Sequence, residues 1–526
     1  VVDSLTEQFG IRSLEFSPEF GFKLNGKKIF LQGNANHHDL GALGATCYDK
    51  AIERMMLQLK SFGYNCIRCS HNPYSDSFAR IADRVGILVV DELTDKWSDN
   101  DYWGGRQPFT HIWHKLITEW IKRDRNRPSI ILWSLGNELQ IREGWAGFEG
   151  TNDWGITTYN IFNQLVKRWD HTRLTTVAMF PARAGAITRH DKEFNDYLVP
   201  PELACATEVA SFNYQSDKYD AYLKYRPDLI LFQSEAETSN LLQPYYNMDK
   251  ERMVGIAYWG SVEYWGESNK WPKKGWNYSF FEHTMRPYPQ AYLIKTAFMP
   301  EIPEVHIGVV DAAGAESVSW NDVIVGRMAL NECWNHTPGS RRSLFTFTNA
   351  HSVELLVNGQ SMGIQKNDTT RANLRNMIYW KDVPYGNGGS VVAIARDKSG
   401  KEVARHRIET AGKAVALRIE AETPTDWKAD GMDLQYINVT VIDKKGRPVW
   451  DYNEPLTLQM EGAARLVALD NGDHYTDELF HGITSKRMYQ GRMQIILRSD
   501  QEAGNVTVKI SSAGLKGTLR LKTIKE

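Results

Sequence analysis

The chain has 526 residues, 62 Lys+Arg against 64 Asp+Glu and a formal net charge of −2, a balance that excludes a broad electrostatic partner such as a nucleic-acid backbone or an anionic membrane surface. With 42% hydrophobic and 24% charged residues it has an ordinary globular composition, and its apolar runs fall far short of the roughly 18 residues a membrane span needs. Seventeen Trp and 23 Tyr are the outlying numbers: such aromatics fill large cores or line surfaces that hold flat, weakly polar rings, sugars first among them.

In chain order, the first 16 residues, ending Phe9-Gly10-Ile11-Arg12-Ser13-Leu14-Glu15-Phe16, read as one strand without companions. An isolated strand is unstable, which predicts a preceding domain that is missing or supplied separately. No charged n-region or apolar h-region of a signal peptide follows the opening Val-Val-Asp-Ser-Leu. From about 17 to 299, short apolar strands alternate with amphipathic helices. Strands are predicted at 28–32, 65–69, 87–90, 130–134, 174–178, 209–213, 229–233 and 255–259, and helices at 50–62, 75–85, 110–125, 156–169 and 289–297. That count and spacing predict a (β/α)8 TIM barrel. A doubly wound sheet is the alternative, but it lacks the Gly-rich first turn of a nucleotide site. After Pro300, helical periodicity gives way to alternating strands with turn pairs such as Asn358-Gly359, predicting two all-β immunoglobulin-like sandwiches, 300–412 and 413–526.

Five Cys (47, 66, 69, 205 and 333) offer no zinc spacing or disulfide framework. Cys66 and Cys69 form a C-x-x-C, but on a strand their side chains point to opposite faces, which argues against a redox pair.

Reactive groups of such a barrel collect at the C-terminal ends of its strands. There the fourth predicted strand delivers Asn137-Glu138 and the seventh Ser234-Glu235. Two carboxylates facing each other across a barrel mouth suit glycoside hydrolysis: one protonates the leaving oxygen, the other attacks the anomeric carbon or activates water. For each Glu alone, a helix cap or a surface carboxylate is the plainer alternative, and their placement on these two strands speaks against it.

The run Arg123-Asp124-Arg125-Asn126-Arg127-Pro128-Ser129-Ile130-Ile131-Leu132-Trp133-Ser134-Leu135-Gly136-Asn137-Glu138 resembles the acid/base signature of glycoside hydrolase family 2, the family of β-galactosidases, β-glucuronidases and β-mannosidases. Gly33-Asn34-Ala35-Asn36-His37-His38-Asp39, Asn65-Cys66-Ile67-Arg68-Cys69-Ser70-His71-Asn72-Pro73 and Val90-Asp91-Glu92 are similar to the family at the first three strands, and the resemblance covers essentially the whole chain. It implies that Glu138 is the general acid/base and Glu235 the nucleophile of a retaining double displacement, with carboxyls about 5–5.5 Å apart. It implies Arg68 as the cation beside Glu235, Tyr214 as a hydroxyl donor to it, and Asn137 on the sugar 2-hydroxyl. For Arg68 a structural ion pair, and for Tyr214 a packed aromatic, are the plainer alternatives. Where many relatives read Ser-Glu-Thr, this chain reads Ser234-Glu235-Ala236-Glu237-Thr238, and alternation leaves Glu237 as a second candidate nucleophile.

The resemblance further implies Trp259 as the platform for the sugar's apolar face, with Trp265, Trp271 and Trp276 around the mouth or in the packing. His37, His38, Asp39 and His71 are implied as hydroxyl-binding residues, Asp39 foremost, rather than metal ligands; no metal and no cofactor are expected. Asp91 and Glu92 either join that network or satisfy the barrel mouth. The family's glucuronidases carry Asn-x-Lys after the eighth strand; here Pro272 stands for the Asn while Lys274 remains, and Asn269-x-Trp271 lacks the Lys. His-His-Asp followed by Leu-Gly-Ala-Leu-Gly is most similar to β-galactosidase members, so the expectation is exo-β-galactosidase action on an oligosaccharide, in a periplasmic or secreted setting. β-Glucuronidase and β-mannosidase are the alternatives. The resemblance also implies that a jelly roll and an immunoglobulin-like domain precede the barrel, and it leaves a homo-oligomer open. A reading of another class is a dead barrel carrying sugar-binding sandwiches, with exposed Trp380, Trp427 and Trp450.

Overall fold

The computed structural model describes residues 3–4, 6–97, 107–139, 153, 155–180, 199–238, 242–268, 271–311, 316–320 and 323–525. By packing, the chain divides into two compact units: Val1–His38, Met56–Ser261 and Val318–Val325 form one, and Asp39–Met55, Val262–Ser317 and Gly326–Glu526 the other.

In the first unit, β1 (Leu31–Asn36), β2 (Cys66–Cys69), β3 (Leu88–Glu92), β4 (Ile130–Asn137), β5 (Leu174–Met179), β6 (Val209–Asn213), β7 (Leu231–Ala236) and β8 (Gly255–Trp259) close into an eight-stranded barrel. Every ladder is parallel, and β8 pairs with β1 from Gly255↔Leu31 to Trp259↔Ala35, so no edge is left. Parallel strands are covered on both faces, which is why β4 is buried along all eight of its residues. The ladder register slips between Ser134 and Asn137 on β4 and between Gln233 and Glu235 on β7. Such irregularities locally re-aim side chains, and both lie just before the two predicted catalytic carboxylates.

Helix signals also act as the sequence suggests. The helix Asp76–Val85 starts where the Ser75 side chain accepts from Phe78 N, and stops at Gly86, whose φ of 77° suits the left-handed region. Below the fourth and fifth strands, Arg173 donates to Ile130 O (2.7 Å), Arg127 O (2.8 Å) and Asp170 Oδ2 (2.5 Å). Trp133 Nε1 donates to the same Asp170 oxygen at 2.9 Å, so the buried Asp170 carboxylate is shared by two donors.

Two expectations shift. The first strand is Leu14–Ser17, and it has companions: it pairs antiparallel with Gly21–Leu24 in a three-stranded sheet completed by Lys27–Lys28. Residues 6–13 carry no regular structure. The barrel's first strand accordingly begins at Leu31 rather than 28, because Lys27–Lys28 is spent on that small sheet.

In the second unit, Leu330–Asn331, Val305–Val310, Arg341–Thr348 and Met377–Pro384 make one four-stranded sheet, and Gln360–Lys366, Ser352–Val357, Ser390–Arg396 and Glu402–Glu409 another. Their shared core holds Trp334 and Trp380. The last sandwich pairs Ala414–Ala421, Leu434–Asp443, Arg492–Ser499 and Ala464–Asp470 with Ser485–Arg487, Pro455–Gly462, Asn505–Ser512 and Leu515–Lys522, around a core containing Trp427. Asn358 and Gly359, with φ of 50° and 83°, form the tight hairpin turn their sequence announces. Trp380 and Trp427 are therefore not exposed: they are 3% and 0% accessible, and both indole N–H groups are bonded internally. Trp450 lies between the Arg286 and Arg492 guanidinium groups, 4.9 and 4.6 Å from its ring. Among the described residues no helix is long and apolar enough to cross a membrane.

Candidate active site

The C-terminal ends of six barrel strands converge on one buried polar cluster. At its centre is Arg68 of β2, fully buried and forked between three acceptors. It donates through Nη1 to Glu235 Oε1 (2.6 Å), and through Nη2 to Glu92 Oε2 (2.7 Å) and Asn137 Oδ1 (3.0 Å). Glu92 also accepts from Ser134 Oγ (2.6 Å) and meets His71 Nδ1 at 2.6 Å. Burial alone would raise the Glu92 carboxyl, but Arg68 and His71 outweigh it and hold it below the usual range. The Arg68 guanidinium is raised, burial notwithstanding, by Glu92 and Glu235.

Glu235 is held from two sides. Arg68 takes Oε1, and Tyr214 Oη donates to Oε2 at 2.7 Å. Tyr214 reaches it because its backbone turns into the left-handed region (φ 59°) just after β6, with its own N–H on Glu235 O at 2.8 Å. Glu138, at the end of β4, has the same unusual backbone sign (φ 50°) and is anchored by its N–H to Ala178 O at 2.7 Å. Its carboxyl receives Asn213 Nδ2 at 3.1 Å. Burial first, and then the neighbouring Glu235 charge, push its pKa up to about 8 against the weaker pull of Lys96 and Asn213. Two buried carboxyls thus sit in opposite surroundings.

Asn213 joins them: it donates to Glu138 and to Asn137 Oδ1 (3.0 Å), and is itself fixed by Ser234 Oγ on its Oδ1 (2.8 Å). Asn137 is locked by its donation to Asp95 Oδ1 (3.0 Å), and its Nδ2 lies 3.3 Å from His71 Nε2. Asp95 stays below the usual carboxylate range despite burial, because His71 and Lys96 favour its charge.

The structure therefore brings together Arg68, His71, Asn137, Glu138, Tyr214 and Glu235. Trp259 adjoins them, but its ring is 3% exposed, with His71 stacked on it at 5.2 Å and 9° and His37 against it edge-on. His38 stacks on Tyr74 instead (4.6 Å, 20°). Glu237, the second candidate, is also buried and stands one residue past the end of β7 at Ala236.

Asp39 and Lys274 fall in the second unit. Asp39 accepts from Gly41 N (2.8 Å) and Trp265 N (3.0 Å), so backbone amides take its carboxylate. Lys274 Nζ is buried without a hydrogen-bond partner among the described residues and lies 5.2 Å from the Trp271 ring. Asn269 lies outside the described residues. Trp265 and Trp276 pack, the first donating to Gly41 O at 2.7 Å and the second stacking on Tyr264; Trp271 is 75% exposed. Asn213, Asp95 and Ser134 were missed by the sequence reading. Asn213 ends β6 and Asp95 follows β3, so position was their signal, whereas Ser134 lies within β4.

A parallel barrel with two buried carboxyls at the ends of its fourth and seventh strands is an arrangement compatible with carboxylate-pair chemistry. Residues 19–252 match the TIM-barrel domain of glycosyl hydrolases family 2, residues 417–519 match C-terminal domain 5 of glycoside hydrolase family 2, and residues 339–404 match a domain family of unknown function. The barrel and the last sandwich thus carry domains of glycoside hydrolase family 2. Among its relatives is the β-galactosidase BoGH2A of Bacteroides ovatus, 27% identical over 98% of this chain and 64% of that protein. A putative β-glucuronidase of Formosa agariphila is 44% identical over 100% of this chain and 51% of its own length. The crystal structure of a family 2 member from Bacteroides cellulosilyticus superposes with a TM-score of 0.86 at 28% identity, covering 98% of this chain and 65% of that one. The chain thus spans between about half and two thirds of the relatives it matches.

Proposed function

We propose that the chain carries the catalytic centre of a retaining exo-β-glycosidase. Glu235 attacks the anomeric carbon while Glu138 gives its proton to the departing glycosidic oxygen. A water then attacks the glycosyl–enzyme bond, losing its proton to Glu138 and freeing Glu235. The observation that carries this reading is the contrast between the carboxyls: Glu138 is raised to about 8, whereas Glu235 is gripped by a guanidinium at 2.6 Å and a phenol at 2.7 Å. Asn137, fixed by Arg68, Asn213 and Asp95, is preset to meet the sugar's 2-hydroxyl. Proton NMR of the first-formed sugar tests the stereochemistry. The β-anomer is expected, and initial release of the α-anomer would refute double displacement.

For the sugar, a terminal β-galactoside is the first reading, supported by the His-His-Asp-Leu-Gly segment and by the kinship with a β-galactosidase. A β-glucuronide is the second, favoured by the relative named a putative β-glucuronidase. Turnover of p-nitrophenyl β-D-galactoside, β-D-glucuronide and β-D-mannoside by the full-length protein separates them. Exclusive cleavage of the glucuronide would discard the galactoside reading.

A further inference from the structure

We propose that Glu263, His283 and His474 bind a single divalent transition-metal ion of the zinc class. All three belong to the second unit, and all are at least 96% buried. His283 Nδ1 lies 3.1 Å and His474 Nε2 3.0 Å from the same oxygen, Glu263 Oε2, and the three donor atoms fall within 4.8 Å of one another. Ligands about 2.0–2.1 Å from a tetrahedral zinc ion stand about 3.3 Å apart, so a small shift outward makes room for the ion.

The surroundings orient each donor. His283 Nε2 is 2.9 Å from Asp470 Oδ1, the carboxylate–histidine pairing that leaves the other ring nitrogen to a metal. Tyr288 Oη donates to Glu263 Oε1 at 2.6 Å, which turns Oε2 inward, where it also accepts the His283 backbone N–H at 3.1 Å. His474 is the informative member. Both of its ring nitrogens are buried without an aligned hydrogen bond among the described residues, although Nε2 is so close to Glu263. That misalignment is what ligation gives, because lone pairs aimed at a common tetrahedral centre point about 35° away from each other's atoms.

A cavity of about 120 Å³ lined by Glu263, His474, Glu282 and Asp473 gives an approach and room for a water as fourth ligand. Arg327, 3.8 Å from Glu263 Oε1, and Arg286, which donates to Glu282 at 3.1 Å, oppose the ion's charge, and the lining carboxylates Glu263, Glu282, Asp311 and Asp473 offset them. The competing arrangement is a bare polar hub in which a protonated His283 bridges Glu263 and Asp470. The second histidine cluster of the unit, His306, Glu332 and His406, is a poorer site: its two rings stack at 4.0 Å, and His406 Nδ1 already accepts from Ile307 N at 3.0 Å. An ion at the first cluster would tie the segment after the barrel to the last sandwich.

The test is a Co2+ titration of the chelator-treated full chain. One equivalent is expected, with the intense visible d–d bands of a four-coordinate site, displaced by Zn2+, and the thermal midpoint should rise by about 3 °C or more. His474→Gln should abolish the bands and the midpoint shift, and Asp470→Asn should weaken binding about 10–100-fold while the fold persists. Glu332→Gln should leave the bands intact. Absence of stoichiometric bands in the wild-type chain, their survival in His474→Gln, or their loss in Glu332→Gln would overturn the proposal.

Discussion

Arg68 lies 2.6 Å from Glu235 with both side chains shut off from solvent, and the same guanidinium holds Glu92 at 2.7 Å. One buried cation therefore answers for two buried carboxylates, and His71 Nδ1 also meets Glu92 at 2.6 Å.

Arg68→Met should consequently be costly twice over. Leaving buried charges uncompensated is worth about 3–5 kcal/mol of stability. Thermal or denaturant unfolding should register that loss, together with a fall in kcat, while Arg68→Lys should restore part of the stability but less of the rate. A Met variant as stable as the wild type would show that the cluster is not electrostatically coupled.

Tyr214→Phe removes only the phenol that donates to Glu235 Oε2 at 2.7 Å. A hydrogen bond to a charged group is worth about 1.5–3 kcal/mol, so kcat/KM should drop about 10–100-fold. An unchanged value would assign Tyr214 to packing against Phe180, its edge-on neighbour at 5.7 Å.

On the proposed mechanism, the proton on Glu138 sets the pH dependence. A general acid must arrive protonated, so with a pKa raised from 4.5 to about 8 the alkaline limb of kcat/KM should fall near pH 8. The linkage to folding runs the same way. A carboxyl whose folded pKa is raised gives its full stability below about 4.5 and loses it as pH climbs through about 8. Glu138→Gln should thus gain on the order of 1–3 kcal/mol over the wild type at pH 7, with no gain at pH 4, while losing the alkaline limb and most activity. Matched unfolding curves at the two pH values check the sign.

The tryptophans divide by location. Trp427→Ala in the last sandwich should cost about 3–5 kcal/mol, since the residue is 0% exposed in a continuous core. Trp271→Ala, at a side chain 75% exposed, should stay within about 0.5 kcal/mol. Differential scanning fluorimetry of the pair is sufficient.

Much of the barrel was legible because period and turn chemistry agree with its tertiary role: 156–169 and 209–213 were predicted to the residue, and Ser75 and Gly86 mark their helix ends. The strand starting at Leu31 was misplaced because Lys27–Lys28 has no pattern that separates a short hairpin from a barrel strand. At the site, Arg68, Glu138 and Glu235 were legible because charged residues at strand ends are scarce. Asn213 and Asp95 were not, since an amide or a carboxylate among many gains meaning only from what the closed barrel sets beside it. The bond between Asp39 and the Trp265 amide was hidden for the same reason: the two are 226 residues apart in sequence.

The ladder slips at Ser134–Asn137 and Gln233–Glu235 bear on any attempt to move this dyad to another scaffold. On an ideal strand, adjacent residues face opposite sides, yet here Asn137 and Glu138 both contact Asn213. Copying the two glutamates onto a regular barrel would therefore transplant the reagents without their aim. The irregular backbone, including the left-handed turn at Glu138, is a heritable part of the catalytic inventory, as much as the carboxyl groups themselves.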